Sequence, residues 1–422
     1  MKRPKVLALI MAGGEGKRMD LLTDVRAKPA LPYAGVYRLL DFPLSNCMHS
    51  DISNVWVIEQ FLPHSLNDHL VNGRPWDLDR TYGGLRTIQP HTGVDESGWH
   101  QGNADAIFRN RRLIREFDPD LLLVLSADHI YKLDYNDVIE AHFANQADVT
   151  MVTTRVPLEQ AGRFGTLKVD DQGKVTDFEY KPDEPSSEIV TTEVFVYTTR
   201  KLLDTLDELA AAKQEDDDVL KDFGHELIPA LVEQGSAFAY PLEGYWRDVG
   251  TIESYWQSHM ELLTAEPPLN LDEPTWPILT LGVQRIPARI ADSARITDSL
   301  IAPGCQIRGT VINSVLAPGV VVEAGAVVRH SIVFHDTRIE ADAQVAYSIL
   351  DSSVQIGAGA TIGLNQKSGS PQSDAETVPD ITLVGQRAQV PADKHIPAGA
   401  RVEPGTTDGA FVQQEEAQEA GS

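Results

Sequence analysis

LAPGVVVEAGAVVRHSIVFHDTRIEADAQVAYSILDSSVQIGAGATI occupies Leu316–Ile362, and its spacing decides the architecture of the C-terminal part of the chain. Apolar residues recur there at intervals of six, six and five. Val322, Ile339 and Ile356 are seventeen apart, as are Val328, Val345 and Ile362, and Leu316, Val333 and Leu350. Turn signals lie between them: Pro303-Gly304, Pro318-Gly319, Ala324-Gly325 and Gly357-Ala358-Gly359. Three short faces per turn of a triangular coil produce this rhythm. Each apolar residue points inward and stacks on its counterpart one coil away, which predicts a hexapeptide-type parallel β-helix. An ordinary β-sandwich with regular turns is the weaker reading, given three aligned columns. Val384, Val390, Ile396 and Val402 repeat by six and continue the coil after an interruption at Ser368–Asp380.

Outward from this stretch the composition changes on both sides. The repeat is expected over residues 288–405. Upstream, Glu266-Pro267-Pro268, Pro274, Pro277 and Pro287 mark a stiff Pro-rich linker, residues 266–287. Downstream, residues 406–422 are rich in Gln and Glu and read as a disordered acidic tail. Residues 1–265 alternate strand-like and helical runs. Val6–Met11, Val55–Ile58, Leu121–Ser126, Val149–Thr153 and Glu193–Tyr197 read as strands. Asp105–Arg115, Tyr135–Gln146 and Leu202–Ala212 read as helices, with Asp134 placed to cap the second. The alternation predicts an α/β domain with a mostly parallel sheet, whose ligands gather at the carboxyl ends of the strands.

The whole chain bounds the function. Its 422 residues exceed one compact core and suit two domains. Lys and Arg number 36 against 62 Asp and Glu, a net charge of −26. Such a surface repels nucleic acid and anionic lipid. A small anionic substrate still fits a locally basic pocket. The only cysteines, Cys47 and Cys305, are far apart in sequence, so no disulfide framework is expected and a reducing compartment suits the chain. No signal peptide is visible, and no apolar run approaches the ~18 residues of a membrane span. These features predict a soluble cytoplasmic protein with no membrane partner.

The run Val6–Met11 leads into Ala12-Gly13-Gly14-Glu15-Gly16-Lys17-Arg18-Met19. Glycines let the backbone approach a phosphate closely and offer its N–H groups. Lys17 and Arg18 add positive charge, and Arg18 can fork two donors onto one phosphate. The loop is neither a Walker loop nor a full dinucleotide fingerprint, since Met19 stands where the third glycine would be. Alone it fits a phosphate site and a tight strand-to-helix turn equally well.

More motifs follow in order: Arg26-Ala27-Lys28-Pro29-Ala30, Arg38–Cys47, Gly102-Asn103-Ala104-Asp105-Ala106, Ala127-Asp128-His129-Ile130-Tyr131, Phe164-Gly165, Lys181-Pro182, Asp222-Phe223-Gly224 and Tyr245–Thr251. With the glycine loop and the repeat they resemble the sugar-phosphate nucleotidyltransferases, and most closely the bacterial glucose-1-phosphate adenylyltransferases. The resemblance covers nearly the whole chain apart from the tail. It implies a Rossmann-like catalytic domain followed by a left-handed β-helix. It further implies synthesis of ADP-glucose and pyrophosphate from ATP and glucose 1-phosphate, for glycogen or another α-glucan, in a homo-oligomer that the family usually builds as a tetramer.

What the resemblance implies for the site is specific. Asp128, after an apolar strand, and Asp248 would hold Mg²⁺, for which one or two carboxylates with phosphates and waters suffice. Arg18, Lys17 and Lys28 would neutralise the β- and γ-phosphates. Ala12, Gly13, Gly14, Glu15 and Gly16 would cradle the nucleotide, with Gln60, Gly102 and Asn103 lining the base pocket. Lys181 would bind the phosphate of the sugar substrate, and Gly165, Tyr180, Thr191 and Glu193 would line the sugar. His129 is expected to pack or hydrogen-bond rather than act as a base. No His-Glu-x-x-His spacing, no Cys/His cluster and no Gly-x-Ser-x-Gly elbow offers another chemistry.

Several positions depart from the family pattern. Tyr180 replaces a Glu before Lys-Pro, and Thr191-Thr192-Glu193 replaces Ser-Met-Gly. His100-Gln101 replaces Tyr-Arg, and Asn103 replaces Thr. Val25 stands where enteric enzymes carry an activator lysine, so activation by fructose 1,6-bisphosphate is not expected. The alternatives are a related nucleotidyltransferase with another sugar 1-phosphate or base, and a non-catalytic regulatory subunit.

Overall fold

The computed structural model describes residues 3–90, 99–212, 220, 222–282, 284–364, 380–407 and 409–410. The chain divides into two compact units, residues 1–15, 40–248 and 271–279 in the first, and 16–39, 249–270 and 280–422 in the second. The units are thus interleaved along the sequence. Most of the interruption expected at Ser368–Asp380 and most of the expected tail lie outside the described residues. No described helix is long and apolar enough to cross a membrane.

The first unit carries strands β1 (Val6–Ala12), β2 (Asn54–Glu59), β3 (Gly84–Ile88), β4 (Leu121–Ser126), β5 (His129–Tyr131), β6 (Val149–Arg155), β7 (Gly165–Val169), β8 (Val175–Tyr180), β9 (Ile189–Thr198), β10 (Ala237–Pro241) and β11 (Trp246–Asp248). Among the described residues a nine-stranded sheet runs β8-β7-β9-β4-β1-β2-β3, with β6 pairing both β9 and β10. The ladders β4-β1-β2-β3 are parallel, while β9 runs antiparallel to β4, β6 and β7. β1 and β4 are near-continuous apolar runs because a parallel strand is covered on both faces. Their side chains join Trp56, Ile107, Phe195 and Leu202 in one core. A separate ribbon pairs β5 with β11.

The helix expected over Asp105–Arg115 is two helices, Asn103–Arg109 and Arg111–Phe117. They meet at Asn110, whose side-chain amide donates to the Ala106 carbonyl at 2.8 Å. That local bond competes with the backbone ladder and breaks the run. The next helix, Tyr135–Ala144, starts at Asp134, which accepts from the Asn136 amide at 2.9 Å. Residues 271–279, inside the Pro-rich stretch, pack onto the first unit: Trp276 Nε1 donates to Asn46 Oδ1 at 2.9 Å and the Leu279 amide to Ser45 Oγ at 2.9 Å.

The second unit is built on a left-handed parallel β-helix, which among the described residues has three six-stranded sheets. The three columns are in register: Val322 on Ile339 on Ile356 on Val390, Val328 on Val345 on Ile362 on Ile396, and Leu316 on Val333 on Leu350 on Val384. Many corners turn on a left-handed residue, such as Asn313, His330 and Tyr347 on one edge and Gly325, Asp342 and Gly359 on another. Short polar residues and glycine tolerate that conformation best. Residues 16–39 and 249–270 pack on the coils. Arg26 forks onto Asp351 at 2.8 and 2.6 Å, with side chains only 10% and 0% exposed. Trp256 Nε1 donates to the His330 carbonyl at 2.8 Å.

Candidate active site

β1 ends at Ala12 and its backbone continues through Gly13, Gly14 and Glu15. A Cβ on Gly13 would come 3.4 Å from Gln60 Cβ, whereas one on Gly14 would meet nothing within 4 Å. Gln60 grips the facing loop with both ends of its amide. Its Nε2 donates to the His100 carbonyl at 3.0 Å, and its Oε1 accepts from the His100 amide at 2.7 Å. A cavity of about 280 Å³ results, lined by Met11, Gly13, Gly14, Gln60, His100, Gly102 and Asn103 among others. That approaches the ~300 Å³ of small-ligand pockets. The structure therefore brings Gly13, Gly14, Gln60, Gly102 and Asn103 together.

Gly16, Lys17, Arg18 and Lys28 belong to the second unit. Gly16 adopts φ 73°, and a Cβ there would press on Thr23 at 3.0 Å and Lys28 at 3.2 Å. Only glycine fills that position without strain. Lys17 and Arg18 are exposed and Lys28 is buried.

The carboxylates gather beside the end of β4. Ser126, paired with Met11 of β1, donates its hydroxyl to Asp128. The β5–β11 ribbon sets Asp248 opposite His129. His129 Nε2 lies 3.7 Å from Oδ1 of Asp128 and 3.7 Å from Oδ1 of Asp248. One imidazole therefore rests against both acids that the sequence singled out. Its Nδ1 sits 2.9 Å from the Thr192 carbonyl and so carries a proton. Burial alone would lower the His129 pKa, but Asp128, Glu193 and Asp248 outweigh it and raise it.

Glu193 reaches the same cluster through a β-bulge. The β9–β6 register shifts between Thr191 and Phe195, and Glu193 adopts φ 55°. Bulges re-aim side chains in this way next to sites. The left-handed backbone also explains why glycine suits that position in the family. Burial raises the Glu193 pKa, His129 opposes this, and Asp128, Asp248 and Asp222 add to it. Thr191 stands beside Gly165, where a Cβ would meet the Phe178 ring at 2.8 Å and Thr191 Oγ1 at 3.2 Å.

Tyr180 closes β8 and faces Gly165 across the ladder. Its hydroxyl donates to Asp222 and accepts from Lys181 Nζ at 2.7 Å. Sequence reasoning assigned no role to Arg163 or Asp222 and expected His129 only to pack or hydrogen-bond. Arg163 Nη2 lies 3.2 Å from Asp248 Oδ2, Asp222 anchors Tyr180, and His129 bridges the two acids. Arg163 precedes the Phe164-Gly165 motif and Asp222 opens the Asp222-Phe223-Gly224 motif, so motif adjacency was the one signal available.

Among the described residues no group of three or more His, Cys, Asp or Glu side chains forms a metal site. Asp128 and Asp248 are a hard-oxygen pair with side chains 22% and 11% exposed. That donor chemistry fits a divalent cation whose other ligands are phosphates and water.

A backbone cradle at the end of one parallel strand, with paired carboxylates at the end of its neighbour, defines the class of enzyme that handles a nucleoside phosphate beside a divalent ion. Residues 7–265 match the family model described as nucleotidyl transferase, and residues 286–384 that described as GlmU-like, C-terminal hexapeptide. Enzymes of this family generally work with a divalent metal. The chain is 42% identical over 324 residues to a glucose-1-phosphate adenylyltransferase of Thermosipho africanus, covering 77% of this chain and 78% of the relative. It is 36% identical over 405 residues to that of Acetivibrio thermocellus, covering 96% and 94%. Against that of Thermotoga neapolitana it is 43% identical over 326 residues, covering 77% and 76%. The chain belongs to the nucleotidyl transferase family and, within it, to the glucose-1-phosphate adenylyltransferases.

Proposed function

We propose that this chain transfers the adenylyl group of ATP to glucose 1-phosphate, giving ADP-glucose and pyrophosphate for α-glucan synthesis. The observation that carries the reading is the meeting of Asp128 and Asp248 at His129, beside the glycine backbone that ends β1. A phosphate oxygen of the sugar 1-phosphate attacks the α-phosphorus in line. One P–O bond forms there as the bond to the pyrophosphate oxygen breaks, so no covalent enzyme intermediate is required. Mg²⁺ held by Asp128 and Asp248 would supply charge neutralisation at the reacting phosphates.

The chain's own groups do the rest. Amides of Ala12, Gly13, Gly14 and Glu15 receive the nucleotide, and Gln60, Gly102 and Asn103 shape its base pocket. By resemblance, Arg18, Lys17 and Lys28 are assigned to the β- and γ-phosphates, and Gly16 to the nucleotide cradle. His129, whose pKa its carboxylate neighbours raise, offsets the repulsion between Asp128 and Asp248 when it is protonated. Arg163 does the same for the outer oxygen of Asp248. Lys181 takes the phosphate of the sugar substrate, with Gly165, Tyr180, Thr191 and Glu193 around the sugar. Residues 1–265 act as the catalytic domain and 288–405 as the β-helix domain, joined by 266–287. The working form is a cytoplasmic homotetramer.

A second reading, another sugar 1-phosphate, is favoured by one observation. Tyr180 and Glu193 stand where the family carries Glu and Gly, and both are built into the cluster. Sites that hydrogen-bond particular hydroxyls discriminate strongly. Pyrophosphate release by the purified chain over a panel of sugar 1-phosphates and nucleoside triphosphates tests both. Fastest turnover with ATP and glucose 1-phosphate supports the first reading. A faster rival sugar selects the second, and no release with any pair removes both.

A further inference from the structure

The Tyr180 ring is set with more precision than a sugar-lining side chain needs. A Cβ added at Gly224 would fall 1.9 Å from Tyr180 Cδ2 and 2.3 Å from Cγ. The ring therefore lies directly on the Gly224 backbone, and any larger residue at 224 would displace it. His225 packs edge-on at 4.7 Å between centroids. Asp222 is fixed as well, since its Oδ1 accepts from the Phe223 amide at 2.7 Å and leaves Oδ2 for the phenol. Burial first, and then Asp222 and Glu193, push the Tyr180 pKa up, which keeps the hydroxyl protonated as a donor to Asp222.

With its proton committed to Asp222, the phenol oxygen turns its lone pairs to Lys181. Lys181 Nζ donates to it at 2.7 Å and lies 4.5 Å from the ring centroid. The lysine backbone is equally constrained, with φ 48° and its amide bonded to the Phe164 carbonyl at 3.0 Å. A surface lysine normally samples many rotamers, and holding it in one carries an entropic cost.

We infer that Tyr180 is a positioning residue: the Asp222-anchored phenol holds the Lys181 ammonium ready for the phosphate of the sugar substrate. The inference rests on the reading of Lys181 as the sugar-phosphate lysine. It assigns a use to the Tyr-for-Glu exchange, because a carboxylate at 180 could not lie on Gly224 and accept from Lys181 while donating to Asp222. The Asp222-Phe223-Gly224 motif then serves as the seat of the tyrosine.

Steady-state kinetics of the full chain with ATP and the best sugar 1-phosphate of the panel tests this. Tyr180→Phe keeps the ring and removes the hydroxyl. It is expected to raise KM for the sugar phosphate about tenfold, the loss of one hydrogen bond to a charged group, while KM for ATP stays unchanged. Asp222→Asn should reproduce the effect, since its amide nitrogen would donate to the phenol and turn the hydroxyl proton toward Lys181. That variant carries the test if Tyr180→Phe fails to fold. In a Lys181→Gln background, Tyr180→Phe should add nothing. A raised sugar-phosphate KM in Lys181→Gln with none in Tyr180→Phe overturns the positioning role alone. An unchanged KM in Lys181→Gln removes the lysine assignment, and the inference with it. Equal rises in both KM values mark a structural role and also overturn the inference.

Discussion

Asp128 and Asp248 are separated by 120 positions in the chain, yet each has an oxygen 3.7 Å from one imidazole nitrogen. Neither residue is informative alone, since an Asp after a strand is an ordinary turn residue. Paired, they can hold a cation whose loss removes charge stabilisation worth several kcal/mol at the reacting phosphates. Asp128→Asn is therefore expected to lower kcat by about 10³-fold or more with circular dichroism unchanged; full turnover in the mutant would sink the metal assignment. Glu193 makes a different point. Its φ of 55° and its burial among Asp128, Asp248 and Asp222 both work against a glutamate. Glu193→Gly relieves left-handed strain and a desolvated acid together. It should stabilise the fold by about 1 kcal/mol, read as a higher urea midpoint at unchanged m-value.

Elements place these residues. β1 and β4 deliver the glycine backbone and Asp128 side by side because a parallel ladder aligns their carboxyl ends, Met11 against Ser126. The β5–β11 ribbon delivers Asp248, and a bulge in β9 delivers Glu193. The helix Tyr135–Ala144 bears on the same sheet through His142, which hydrogen-bonds Thr150 Oγ1 at 2.9 Å. Its start depends on Asp134, whose side chain satisfies the Asn136 amide. Asp134→Ala should cost about 1 kcal/mol of stability in chemical denaturation and leave kcat untouched, since the Asp134 carboxylate bonds Asn136 at the helix start. A loss of turnover in that variant would show that the helix start is coupled to the site.

At the scale of the molecule, among the described residues each unit buries a histidine that burial holds below its ordinary pKa. Burial holds His142 in the first unit and His259 in the second at about 4, below the ordinary 6.5. As pH falls, the unfolded chain takes up these protons first, so stability is complete above about pH 6.5 and drains away toward pH 4. Each histidine should account for about 2 kcal/mol of lost stability between pH 7 and pH 5. Urea midpoints measured across that range should fall less steeply in His142→Gln than in the native chain; an identical slope would remove His142 from the account.

The alternating runs of residues 1–265 and the seventeen-residue columns were legible without coordinates because local periodicity reports which side of an element is buried. The motifs around residues 12–19, 128 and 248 stood out because phosphate and metal binding, the roles proposed for them, restrict residue type. Three things were not legible. Nothing local to Asn110 announced that its side chain would break a helix. The Pro-rich stretch gave no sign that Trp276 would bond Asn46, 230 positions away. Nor did any spacing show that Arg26 would find Asp351, 325 positions away, and so tie residues 16–39 to the coils. The amino-acid order alone determined the two architectures and the acids worth watching. The tertiary structure decided that His129 joins those acids, that Tyr180 seats on Gly224 beside Asp222, and that the compact units interleave. The physical reason is that side-chain pattern encodes which face turns inward, whereas hydrogen bonds between distant residues exist only once the chain has closed on itself.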